Sequence, residues 1–278
     1  MNIYAFADEA CPQMDGQIAA MHRNRLKGLE IRGVDGENIA EISLKKAREV
    51  HRMLEDAGLT VWSIGSPLGK IPITDENFQA HLDLFRHTLD LARILEAGNL
   101  RLFSFFMPKG QEPARYRDQV ITRLQAFAEA AEGSGIDLCH ENEKAIYGDI
   151  ASRCLEIHRA VPQLKAVFDP ANFVQCGQDT LEAWDLLHPY VKYMHIKDAL
   201  PDGHVVPAGK GQGHVAQLLH RYQAQGGENV TVEPHLSVFD GLKALETAEN
   251  TSEIGLYRYP SSDAAFDAAC RALKDLLV

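Results

Sequence analysis

Eight parallel strands, each followed by a helix and closed into a single (β/α)8 TIM barrel of the α/β class, are what this sequence predicts, on three observations. Short apolar runs alternate with amphipathic stretches along the chain, in eight pairs. The length of 278 residues suits one such barrel, which commonly takes about 250. No Pro/Ser linker, internal repeat or low-complexity run breaks the alternation, so residues 1–278 are read as one domain.

The elements follow in order. Asn2–Ala7 reads as a strand and Met14–Asn24 as a helix. Gly28–Arg32 is the second strand; behind it Glu41–Ala57 lines up Leu44, Val50, Met53 and Leu54 on one helical stripe, ended by Gly58. Leu59–Ile64 is the third strand, and Thr74 or Asp75 caps a helix to Ala97 that Gly98 closes. Leu100–Phe105 is a strand, Glu112–Glu132 a helix, Ile136–His140 a strand and Asp149–Ala160 a helix. Leu164–Phe168, helix Thr180–Leu187 and strand Val191–Ile196 come next. The glycine-rich loop Asp202–Gly213 leads into helix His214–Gln225; strand Asn229–Glu233 and helix Ser262–Leu277 finish the chain. A doubly wound open sheet would need a Gly-rich dinucleotide turn after strand one, where the sequence reads ADEACPQMDG.

Charge and cysteine usage exclude several classes. Twenty-eight basic against 39 acidic residues give a net charge of -11, the wrong sign for a broad nucleic-acid surface. Five scattered cysteines without a CxxC pair fit neither a disulfide framework nor a cysteine zinc site. The start MNIYAFADEA lacks a basic leader with a long apolar run, and no apolar run approaches about 18 residues. A cytoplasmic protein with no membrane or nucleic-acid partner is expected.

Such barrels carry their chemistry at the C-terminal ends of the strands. The last four expected strands end in Glu141, Asp169, His195 and Glu233. Three carboxylates and one imidazole make a hard donor set for one divalent ion: Mn²⁺, Mg²⁺, Zn²⁺ or Co²⁺. Strand parity agrees. With Glu141 inward, Leu138 and His140 face the helices; Ala166 and Phe168, Met194 and Ile196, and Val230 and Val232 do the same on the next three strands. Lys192 sits awkwardly in that pattern. The same parity puts Glu143, Lys197 and His235 on the inward side, beyond the expected ligands. Taken singly each has a structural use: Asp169 before Pro170 could start a turn, His195 could be a hydrogen-bonded core histidine, and Glu233 could pair with Lys197. Four on consecutive strands argue for a site.

At HENEKAIYGD, FDPANF, HIKD, PAGKGQG and VEPH the sequence resembles the xylose isomerase-like barrel superfamily of sugar phosphate isomerases and epimerases, over nearly its whole length. The resemblance implies metal ligation by Glu141, Asp169, His195 and Glu233, and a substrate-facing Asn172. Lys197 becomes a contact to substrate or phosphate. Strand-end loops GVDG, SPLGK and FSFFMPK would add contacts, Ser66 and Lys70 among them. It also implies a homodimer. Where endonuclease IV relatives carry extra zinc histidines this chain has Ser66 and Phe105–Phe106. Where ketohexose 3-epimerases carry a Glu and an Arg it has Tyr147 and Pro201.

The expected activity is a metal-dependent isomerase or epimerase acting on a sugar, sugar phosphate or keto-polyol through an enediolate. Glu141 and Glu233 are its acid/base pair, and Glu143 and His235 flank the substrate. The alternatives are a lyase that dehydrates a keto-polyol, in the manner of an inosose dehydratase, a phosphodiester hydrolase with several metals, and a non-catalytic sugar-binding barrel.

Overall fold

A computed structural model describes residues 1–239 and 253–277. Eight parallel strands form a closed ring: β1 Asn2–Ala5, β2 Gly28–Ile31, β3 Thr60–Gly65, β4 Asn99–Leu102, β5 Asp137–Glu141, β6 Lys165–Phe168, β7 Val191–Ile196 and β8 Asn229–Val232. Sequence neighbours pair around the ring, and β8 closes on β1 with Asn2 opposite Asn229. Around it lie α1 Met14–Arg23, α2 Leu44–Asp56, α3 Phe78–Ile94, α4 Arg117–Ala130, α5 Ala151–Ala160, α6 Pro170–Gln175, α7 Thr180–Leu187, α8 Val215–Ala224 and α9 Ser262–Leu276. The barrel class expected from the alternation is the one observed. The expected extent of 1–278 takes in 240–252 and 278, which lie outside the described residues.

Most of the buried apolar mass lies between the outer faces of the strands and the helices, with Leu100, Leu138, Phe168, Met194, Val230 and Val232 among it. This is the layer that parity assigned outward. Inside the ring the filling is aromatic: Tyr4 stacks on Trp62 at 5.1 Å, and Trp62 meets Tyr193 edge-on at 5.9 Å. Cys139, Val167 and Tyr193 pack together beneath the site. Two register shifts break strict alternation. Leu29 pairs with Val61 but Glu30 with Ser63, so Trp62 is the extra residue of a bulge. Ala166 pairs with Val191 and Val167 with Tyr193, which leaves Lys192 as the extra residue. The awkward Lys192 thus turns aside to Asp137, 2.7 Å away.

Several expected boundaries move, each for a local reason. The first strand stops at Ala5, and Ala7–Glu9 turns as a 3-10 helix that folds Asp8 and Glu9 toward the strand ends. Helix α2 begins at Leu44 rather than Glu41 because Ser43 supplies the cap, its hydroxyl accepting from the Lys46 amide at 3.1 Å. Asp75 caps no helix. Its carboxylate takes the Asn77 amide at 2.7 Å, and α3 starts at Phe78. Gly98 does not close α3; Glu96 takes the left-handed position there, at φ 54°. Tyr116 and the residues before it form a separate 3-10 turn, Pro113–Tyr116, ahead of α4. Helix α6 was not expected: Asp169 caps it and Pro170 opens it, an N1 proline. Among the described residues no helix is long and apolar enough to cross a membrane, and all five cysteines are free thiols.

Candidate metal centre and active site

The closed ring brings the last four strand ends together. One donor atom each from Glu141, Asp169, His195 and Glu233 lies within 4.8 Å of the other three, and all four residues are buried. Each is fixed separately. Asp169 divides its oxygens: Oδ1 accepts the Asn172 amide at 2.9 Å as the cap of α6, and Oδ2 lies 2.6 Å from Lys197 Nζ. The structural use and the site use of this residue therefore coexist. His195 presents Nδ1 to Glu141 Oε1 at 2.8 Å and to Glu233 Oε2 at 3.6 Å. Its Nε2–H donates to Glu30 Oε2 at 2.9 Å. A carboxylate on one ring nitrogen sets the tautomer and leaves the other for an ion.

Two arginines hold the glutamates. Arg101 donates to Glu141 Oε2 at 3.0 Å and to the carbonyls of Gly65 at 3.0 Å and Ser66 at 3.3 Å. Arg32 reaches Glu233 Oε1 at 3.3 Å while also binding Asp8 and Glu9. Each glutamate thus has one oxygen held by a guanidinium and the other turned toward His195 Nδ1. Lys197 lies between Asp169 and Glu233, in a short ion pair with the latter.

The charges are strongly coupled. Burial would lower the His195 pKa, but Glu141 and Glu30 outweigh it and raise it to about 10. An ion on Nδ1 would therefore displace a proton. Burial raises Asp169 to about 7, against Lys197 and with Glu233 and Glu141. Burial raises Glu9 to about 8 in spite of Arg32, helped by Glu233 and Asp8. For Glu143 burial is overcome by Lys70, Lys144 and Lys197, which bring it down to about 2. So many clustered carboxylates, with an imidazole aimed among them, fit a divalent ion of the hard or borderline kind.

The other expected site residues are placed as follows. Asn172 lies under Glu141, its Nδ2 donating to the Asn142 carbonyl at 2.9 Å and to Glu141 Oε1 at 3.4 Å. Glu143 pairs with Lys70 at 3.1 Å, and the Lys70 ammonium lies 4.5 Å over the Phe103 ring. His235 stands beside Glu233, 3.6 Å from its Oε1. Ser66 is fully buried and spends its hydroxyl on the Arg101 carbonyl at 2.5 Å, so it supports the arginine from behind. Tyr147 points away from the cluster and donates to Glu156 at 2.6 Å.

Glu30, Arg32, Arg101, Asp8 and Glu9 were not among the expected residues. The signal for three of them was present: in GLEIR and NLRL the charged residues alternate with Leu and Ile, as inward positions should. Asp8 and Glu9 arrive by the 3-10 turn, which alternation does not describe.

The fold has many solved counterparts. A D-psicose 3-epimerase from Clostridium cellulolyticum H10, crystallised with D-tagatose, superposes with a TM-score of 0.76 at 14% identity, over 100% of this chain and 98% of its own. The IOLI protein with a bound zinc atom gives 0.75 at 14%, over 100% and 98%. The probable 3-DHS dehydratase AsbF of Bacillus anthracis gives 0.75 at 15%, over 99% of both chains. At such identities these likenesses concern the fold. No curated protein sequence matches the chain. Residues 19–248 match the model of the xylose isomerase-like TIM barrel, most of the sequence, and the chain belongs to that family.

Proposed function

We propose that this protein is a divalent-metal-dependent isomerase or epimerase of a sugar, sugar phosphate or keto-polyol, working through an enediolate. The observation that carries the reading is the pair Glu141 and Glu233, whose carboxylates flank His195 Nδ1 while arginines hold their outer oxygens. Two buried bases on either side of one binding point can take a proton from a carbon and return it. The ion, held by Glu141, Asp169, His195 and Glu233, would supply Lewis acidity toward a ketone and its neighbouring hydroxyl.

The remaining roles belong to the chain. Arg101 and Arg32 keep the two glutamates aimed by charge-assisted hydrogen bonds. Lys197 donates to a substrate oxygen from its place beside Glu233, and Asn172 keeps Glu141 in orientation from below. Glu143 and Lys70, paired at the rim of the site, accept and donate hydrogen bonds to hydroxyls farther along the substrate. Burial of the cluster limits water and strengthens each of these contacts.

The test is proton exchange. The Mn²⁺-loaded protein in D₂O should wash deuterium into one carbon of its substrate, screened over sugars, their phosphates and keto-polyols. Glu141→Gln and Glu233→Gln should each lose at least about 100-fold in exchange while retaining the far-UV spectrum of the barrel. Full exchange in both variants would sink the mechanism.

The Lys197 ammonium favours one second reading, dehydration of a keto-polyol. After either glutamate removes the carbon proton, Lys197 can protonate a departing hydroxyl. Accumulation of an α,β-unsaturated product, in place of an epimer or isomer, would select it.

A further inference from the structure

A second group of donors lies beside the first. Glu9, Glu233 and His235 also bring one donor atom each within 4.8 Å of one another, and all three are buried. His235 Nε2 is 3.5 Å from Glu9 Oε1 and 3.6 Å from Glu233 Oε1. Those separations are too long for hydrogen bonds. They match the roughly 3.3–3.7 Å between ligands of one ion at ordinary bond lengths of about 2.0–2.2 Å.

The imidazole gives the independent sign. Its side chain is only 8% exposed, yet among the described residues neither ring nitrogen has a hydrogen-bond partner. A buried ring without partners costs free energy unless something else satisfies it. Its orientation is nevertheless fixed. The His235 amide donates to Glu9 Oε2 at 2.6 Å, and Phe239 stacks on the ring at 5.5 Å. Its backbone is left-handed, at φ 43°, an uncommon state for a residue other than glycine. Beside the ring's acidic neighbours, the single Arg32 guanidinium serves the carboxyl groups of Asp8, Glu9 and Glu233 together.

We propose that Glu9, Glu233 and His235 form a second divalent-cation site, joined to the first by Glu233. The carboxylate bridges: Oε2 faces His195 and Lys197, and Oε1 faces His235 and Arg32. His235 thereby serves an ion rather than the substrate. The inference rests on the metal reading above, since Glu233 serves both sites.

Equilibrium dialysis against MnCl₂ followed by metal analysis tests it, with electron paramagnetic resonance on the loaded protein. The wild-type chain should hold two Mn²⁺ with the spin-coupled lines of a bridged pair. His235→Ala and Glu9→Gln should each hold one Mn²⁺ and lose the coupling. The histidine variant strands no hydrogen-bond partner, so the fold should tolerate it. One Mn²⁺ per wild-type chain, kept by both variants and lost in Asp169→Asn, overturns the second site and leaves the first. One Mn²⁺ lost in both variants but kept in Asp169→Asn supports the second site and removes the first. No binding in the wild type overturns both.

Discussion

Glu30 is not one of the expected ligands, yet through its contact with the imidazole it decides what His195 can do. Its carboxylate accepts the Nε2 proton at 2.9 Å and, through its other oxygen, the Tyr193 hydroxyl at 2.8 Å. Burial would push its pKa up, but His195 and Arg101 outweigh that and hold it below the usual range, so it stays an anion in the barrel interior. Glu30→Gln keeps the shape and can still bond the ring, but it removes the charge that raises ligand basicity. Its Mn²⁺ affinity should fall about 10–100-fold by calorimetric titration; an unchanged affinity would deny Glu30 this role. At this scale the sequence was legible where a residue ends a strand and opaque where it works from within one. Glu141, Asp169, His195 and Glu233 announced themselves as polar residues after apolar runs. Glu30 and Arg101 lie inside β2 and β4, where a charge reads as an interruption until the inward face is known to be polar.

Between residues and barrel, the elements show why strand and helix types were readable and their ends were not. Helices α2 and α3 finish with the same hydrogen-bond pattern: Leu59 N–H to Leu54 O and Ala97 N–H to Ala92 O, both at 2.9 Å. The left-handed position is Gly58 in the first and Glu96 in the second. A glycine search therefore finds one stop and overshoots the other to Gly98. Glu96→Gly should stabilise the protein by about 0.5–1 kcal/mol in urea unfolding, because the side chain is exposed and its backbone conformation unfavourable. Loss of stability would mean that Glu96 makes a contact worth more than its strain. Helix α5 carries a different liability. His158 is buried against Tyr190 and donates to the Leu164 carbonyl at 3.3 Å. Burial lowers its pKa to about 4, while the unfolded chain protonates near 6.5. The unfolded state thus binds the proton first, so this contribution is complete above pH 7 and declines as pH falls from 6.5 toward 4. At pH 5 the loss should be roughly 2 kcal/mol. His158→Gln should show a correspondingly smaller drop in urea midpoint between pH 7 and pH 5; an equal drop would assign the acid sensitivity elsewhere.

Closure of the ring turns these separate placements into a site, and it also concentrates like charge. The sheet order puts β8 between β7 and β1, so Glu233 meets His195 on one side and the Asp8–Glu9 turn on the other. That adjacency follows from topology and could not be read from residues 224 positions apart in sequence (233 minus 9). Two ions sharing a carboxylate would also suit a phosphodiester hydrolase, but a net charge of -11 disfavours a polyanionic substrate and leaves a small sugar or polyol as the better fit. With Glu30, Asp8 and Glu9 beside Glu141, Asp169 and Glu233, acidic side chains outnumber Lys197 and the two arginines, which leaves the cluster open to further positive charge from an ion. Binding to the folded chain alone must then stabilise it. Mn²⁺ at about 100 times its dissociation constant contributes about 2.7 kcal/mol per site. For a chain of this size that is a rise of roughly 5 °C in the unfolding midpoint over the chelator-treated protein. Asp169→Asn should lose most of that rise, while Glu96→Gly, far from any ligand in role, should retain it. A midpoint unmoved by Mn²⁺, Zn²⁺ and Co²⁺ alike would mean that Lys197, Arg32 and Arg101 already neutralise the cluster, and the metal reading of all four strand ends would fall with it.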